Sequence, residues 1–166
     1  MSVFRRRIEE RQRRLRAATT TELDIRASRE AALKLLETEA GALLEAIIHY
    51  LEEEKAEASA GGYMADIHRI RDSHKSSVGA EFSFAYVADI LPSQVMTHFG
   101  FRITIGEDLQ VQISYICRER GQRQLTLIPT ETIGPIDQAD ILTRIEASLE
   151  KFVEAAESAR KEESPH

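Results

Sequence analysis

The chain has 166 residues, 42% of them apolar and 30% charged, with a formal charge of -6. That length holds one hydrophobic core of ordinary size and not two, and the apolar fraction is that of a folded chain rather than a disordered one. No apolar run approaches the roughly 18 residues of a membrane span, and the opening "MSVFRRR" leads into charge where a secretory signal needs an apolar stretch. Cys117 is the one cysteine, so no internal disulfide forms and a cytoplasmic protein is expected. It continues an alternating apolar pattern, which marks it as a core thiol.

Residues 1–17 carry Arg5, Arg6, Arg7, Arg11, Arg13, Arg14 and Arg16 against Glu9 and Glu10. This arm is therefore +5, which leaves -11 on the rest of the chain. Arginine outnumbers lysine 17 to 5 overall, so the choice of Arg says less than its clustering. Such end-to-end asymmetry implies an anionic partner for the arm. Glu9 and Glu10 precede Arg13 and Arg14 by four residues, the orientation that stabilises a helix. Phe4, Ile8 and Leu15 fall near one face of it, interrupted by Arg11.

Three threonines in "ATTTELD" disfavour helix, and Thr21 with Asp24 resembles a capping box. A hinge is predicted at residues 18–21, with a single domain over 22–160 and a flexible tail at 161–166. A long helix follows the hinge to about Ala58. Leu33, Leu36, Ala40, Leu43, Ile47 and Tyr50 alternate three- and four-residue spacings, and Leu44, Ile48 and Leu51 widen the stripe to roughly 160°. One packing surface needs less than that. The surplus is met either within the same domain or by a second copy of the chain, with Leu36, Leu43, Ile47, Ile48 and Leu51 as the candidate self-association residues.

Residues 63–79 hold neither a helical nor a strand period. Four alternating runs come next, with one face each formed by Phe82, Phe84, Tyr86 and Ala88; Phe99, Phe101, Ile103 and Ile105; Leu109, Val111, Ile113, Tyr115 and Cys117; and Leu125 and Leu127. Gln110, Gln112, Ser114, Gln124 and Thr126 supply the opposite, wet face. "LPSQ", "GED" and "RERGQR" connect the runs. Asp137 is a candidate cap for a last helix that buries Ile141, Ile145, Leu149, Phe152 and Ala156. The expected fold is α+β: a four-stranded antiparallel meander covered on one face by the long N-terminal helix and the C-terminal helix, preceded by the basic helical arm.

Asp66, His68, Asp72 and His74 are the candidate metal ligands, because an extended backbone would place all four on one side of a strand. Their spacing matches no zinc, calcium or metalloprotease pattern, and a solvated connection is the simpler account of the segment. No phosphate loop, dinucleotide turn or nucleophile elbow occurs, no catalytic residue is assigned and no cofactor is expected. Arg69, Arg71 and Lys75, with Arg118, Arg120 and Arg123, form a second candidate basic patch able to follow a phosphate backbone if the fold gathers them with the arm. No aromatic is interleaved with them, and the acidic remainder repels nucleic acid. The leading expectation is a non-catalytic interaction module, such as an adaptor, chaperone-like factor or accessory subunit, whose arm docks on an acidic protein surface. The alternatives are a nucleic-acid-associated regulator and, third, a small-molecule or metal-dependent enzyme.

Overall fold

In a computed structural model, which describes residues 3–86, 97–119 and 126–163, the chain begins with one helix, α1 (Val3–Ala60). It is unbroken at residues 18–21, where the threonines imply a hinge. Thr19, Thr20 and Thr21 turn their hydroxyls back to donate to the carbonyls of Leu15, Arg16 and Ala17, at 2.9–3.0 Å. These bonds keep the polar side chains within the helical ladder instead of competing with it. Gly61 and Gly62 end the helix, the latter at φ +91°, a conformation that glycine adopts without strain.

Five antiparallel strands follow in chain order across one sheet: β1 (Tyr63–Asp72), β2 (Ser77–Tyr86), β3 (Thr97–Gly106), β4 (Gln110–Glu119) and β5 (Thr126–Pro135). The helix α2 (Ile141–Glu163) completes the fold. The α+β class and the meander agree with the expectation, but the strand count is five and not four. The additional strand is β1, which occupies most of the segment whose period could not be read. It pairs along its whole length with β2, from Tyr63 opposite Tyr86 to Asp72 opposite Ser77. Its helix-facing positions run Tyr63, Ala65, Ile67, Arg69, Arg71, so two charged residues stand where an apolar alternation would continue and conceal the strand.

Both helices cover the same face of the sheet. Buried there are Val78, Ala80, Phe82 and Phe84 of β2, Phe99 to Ile105 in alternation on β3, and Val111 and Ile113 of β4. Helix α1 packs on β1 and β2, and α2 on β3 to β5. Phe152 of α2 sits at the centre, with its ring 5.1 Å from Tyr115 in a stack and 5.8 Å from both Phe84 and Phe101. Cys117 is half-buried against this core. Helix α2 starts at Ile141 rather than near Asp137, because the chain turns first beyond Pro135, with the Gln138 N–H donating to the Pro135 carbonyl and the Ile141 N–H to that of Gln138. Asp140 then stands before the helix and accepts from Arg144 Nε at 3.0 Å.

The outer face of the sheet is part wet and part closed. Gln112 and Ser114 are half-exposed as expected, whereas Glu81 and Ile116 are buried. Glu81 accepts two hydrogen bonds from Arg102 on the neighbouring strand, at 2.9 and 2.7 Å. The "LPSQ" turn and most of "RERGQR", with Ala88, Arg120, Arg123, Gln124 and Leu125, lie outside the described residues, as do the side chains of Tyr86, Arg118, Thr126 and Leu127.

Candidate functional site

From residue 4 to residue 29 every side chain of α1 is exposed. At about 1.5 Å per residue this is a rod about 40 Å long standing off the domain. Ion pairs between turns support it: Arg5 with Glu9, Glu10 with Arg14 and Glu22 with Arg26. Glu10 takes the partner expected of it, while Glu9 turns back to Arg5. Among the described residues Arg6, Arg7, Arg11, Arg13 and Arg16 have no acidic partner, so their guanidiniums are available. The rod also leaves Phe4 77%, Ile8 56% and Leu15 58% exposed, apolar area that nothing in the domain covers.

The base of the rod is clamped by β1. Arg71 donates to both carboxylate oxygens of Glu30, at 3.1 and 2.6 Å, and its Nε donates to Glu37 at 2.5 Å. Arg69 reaches Glu45 at 2.9 Å. The planar guanidinium fork fixes direction as well as distance, so the edge strand holds one flank of α1 at three successive levels. Part of the second basic patch is therefore spent: Arg69 and Arg71 face glutamates of their own helix. Glu30, Glu37 and Glu45 repeat at seven and eight residues along one flank of α1, and Arg69 and Arg71 alternate in the way of a strand. Those two spacings are compatible with the clamp, but neither of them pairs the strand with the helix.

The clamp makes folding sensitive to acid. The hydrogen bond from Arg71 holds the Glu30 carboxyl below its ordinary value of 4.5. The backbone N–H groups of Lys75 and His74 hold Asp72 below 3.8, and the Arg144 side chain does the same for Asp140. Each group is more acidic folded than unfolded, so its stabilising contribution is present above the ordinary value and is lost as pH falls through the lower folded value. Thermal melts followed by circular dichroism should show Tm falling as pH drops below about 4.5, with a shallower fall in Glu30→Gln. An identical slope in that variant would show that the Arg71 contact contributes nothing to folding.

A cleft of about 250 Å³ opens between the C-terminal end of α1 and the middle of α2. Phe82, Phe84, Leu149 and Val153 make its apolar floor, and Glu54 and Glu57 of α1 stand at its rim. On the other side Glu146 and Glu150 of α2 lie close enough to Tyr50 to push its phenol pKa up, an effect led by burial and reinforced by Glu54. Glu157 accepts from the Tyr63 hydroxyl at 3.2 Å. The cleft's own acidic residues come from α1, and α2 adds carboxylates beside it at Tyr50 and Tyr63.

The remaining sequence candidates are scattered by the fold. Leu36, Ile47 and Leu51 are buried against the sheet, and Leu43 and Ile48 are half-buried beside it. Asp66 and His68 lie on the outer face of β1, 3.4 Å apart. Asp72 instead accepts from the backbone N–H groups of His74 and Lys75 in the turn at 2.9 and 3.0 Å, and His74 contacts Arg29 at 3.4 Å. Among the described residues no group of three or more His, Cys, Asp or Glu side chains comes together to hold a metal. A concavity of about 310 Å³ on the outer face brings His98, Glu81 and Ser83 beside Asp66 and His68. These are residues of three strands that no spacing in the sequence connects.

A scan against protein-family models, a search of curated proteins and a search of solved structures find no match to this chain. Among the described residues no helix is long and apolar enough to cross a membrane. Fold and site define an α+β sheet domain that carries a projecting basic helix at one end of α1 and an acidic inter-helix cleft at the other.

Proposed function

We propose that this chain is a non-catalytic, intracellular protein-interaction module, an adaptor or accessory subunit whose domain anchors a rigid basic helix and presents it to an acidic protein surface. One observation carries the reading: α1 passes without a break from the hydrophobic core into the exposed arm, and Arg71 clamps it at the point of exit. A clamped rod fixes where its arginines are displayed, so less orientational freedom is lost on docking than for a disordered basic tail. The unpaired guanidiniums offer bidentate contacts to carboxylates, and the exposed Phe4, Ile8 and Leu15 add apolar area along the same helix. Nucleic acid is the weaker partner, since Arg69 and Arg71 are engaged and do not extend the basic surface.

Deletion of residues 1–17 tests the reading. The truncated protein should melt within a few degrees of the intact chain, because those side chains touch nothing in the domain. Protein that co-purifies with the intact chain after nuclease treatment should be lost on deletion, and lost equally on raising salt, which screens exposed charges over about 3 Å at 1 M instead of about 10 Å at 0.1 M. Co-purification that disappears with nuclease alone would assign the arm to nucleic acid. Co-purification indifferent to the deletion would refute the docking role.

A further inference from the structure

We propose that the acidic surface addressed by the arm is the inter-helix cleft of a second copy of this chain, so that two copies join as a reciprocal antiparallel pair. The inference rests on the reading of the arm as a docking element and names its partner. Charge complementarity is the first argument: the arm carries +5 and the remainder -11, Glu54 and Glu57 of α1 line the cleft, and Glu146 and Glu150 of α2 act with Glu54 on the neighbouring Tyr50. The apolar components match as well. Phe4, Ile8 and Leu15 lack cover, and the cleft is lined by apolar side chains, Val153 half-exposed above the buried Phe82, Phe84 and Leu149.

The chain's own arm cannot fill its own cleft. Both lie on α1, which is continuous from Val3 to Ala60, and the 35 residues from Leu15 to Tyr50 separate them by about 50 Å of helix. An arm that enters the cleft must therefore come from another chain. A second copy supplies one. Laid antiparallel, two α1 helices bring the Ile8 and Leu15 end of each beside the Leu43 and Tyr50 end of the other. Each copy gives one arm and receives one, which closes the assembly at a dimer.

Sedimentation and light scattering of the full chain at micromolar concentration should give twice the 18.8 kDa chain mass, reverting to the monomer mass at high salt. Charge reversal then identifies the contact. Arg11→Glu with Arg13→Glu and Arg14→Glu should be monomeric, and so should Glu57→Arg with Glu146→Arg and Glu150→Arg. All six positions are exposed, so folding is retained, as circular dichroism will confirm. Mixed in equal amounts, the two monomeric variants should recover a dimer, because each acidic arm then meets a basic cleft and each basic arm an acidic one. A monomeric wild-type chain, a dimer indifferent to both reversals, or a mixture that stays monomeric would each overturn the proposal. If the wild type is monomeric and the arm still retains a different protein after nuclease treatment, this proposal falls and the docking role of the arm stands.

Discussion

Phe101→Asp should leave the domain unfolded at room temperature, with loss of the near-ultraviolet signal and of any cooperative melt. Phe101 is fully buried on β3, with its ring 5.9 Å from Tyr115 and 5.8 Å from Phe152. Truncating a buried phenylalanine costs about 3–5 kcal/mol, and a buried carboxylate without a partner adds several more unless it protonates. Small domains are stable by about 5–15 kcal/mol in total, so little or nothing is left. Gln112→Ala, on the opposite face of the adjacent strand, should shift Tm by no more than a few degrees. A cooperative wild-type melt in Phe101→Asp would mean that the helices cover the other face.

Gly79→Ala should produce the second large loss, through a different mechanism. Gly79 lies in β2 opposite Thr104 of β3, and a methyl group there would fall 1.9 Å from the carbonyl oxygen of Ile103 and 2.9 Å from its carbon. The obstacle is backbone, which cannot rotate away like a side chain, so the central strand pair must separate or shear. Overpacking against flexible neighbours costs about 1–3 kcal/mol, and this contact belongs at or above the upper end of that range. Gly41→Ala in α1 is the control. Nothing lies within 4 Å of the added carbon, and alanine is a better helix former by about 1 kcal/mol, so Tm should rise. Equal melting of Gly79→Ala and the parent would mean that β3 does not approach β2 so closely at this position.

The sequence by itself determined the parts of this protein that depend on local pattern. Alternation at Phe82 and Phe84, Phe99 to Ile105 and Val111 to Tyr115 marked the inward face of three strands, and helical spacing at Leu33 to Leu51 and Ile141 to Ala156 marked the two helices that cover it. Side-chain period follows from backbone geometry alone, so a buried face shows itself wherever its residues are uniformly apolar. The basic arm was equally legible, because charge is additive along the chain.

Tertiary structure decided everything that needed a partner from another element. β1 was hidden because Arg69 and Arg71 hold core-facing positions and are satisfied there by Glu30, Glu37 and Glu45, residues 24 to 41 positions away. The threonines that predict a hinge instead donate to their own helix, a choice between two local hydrogen-bonding patterns that propensity cannot settle. Leu36, Ile47 and Leu51 qualified equally for the core and for a second copy until the sheet claimed them. Around Tyr50, Glu54 of α1 meets Glu146 and Glu150 of α2 across nearly a hundred residues of sequence. No period or motif connects such positions, since only the packing of two helices side by side on one sheet brings their charges to the same tyrosine.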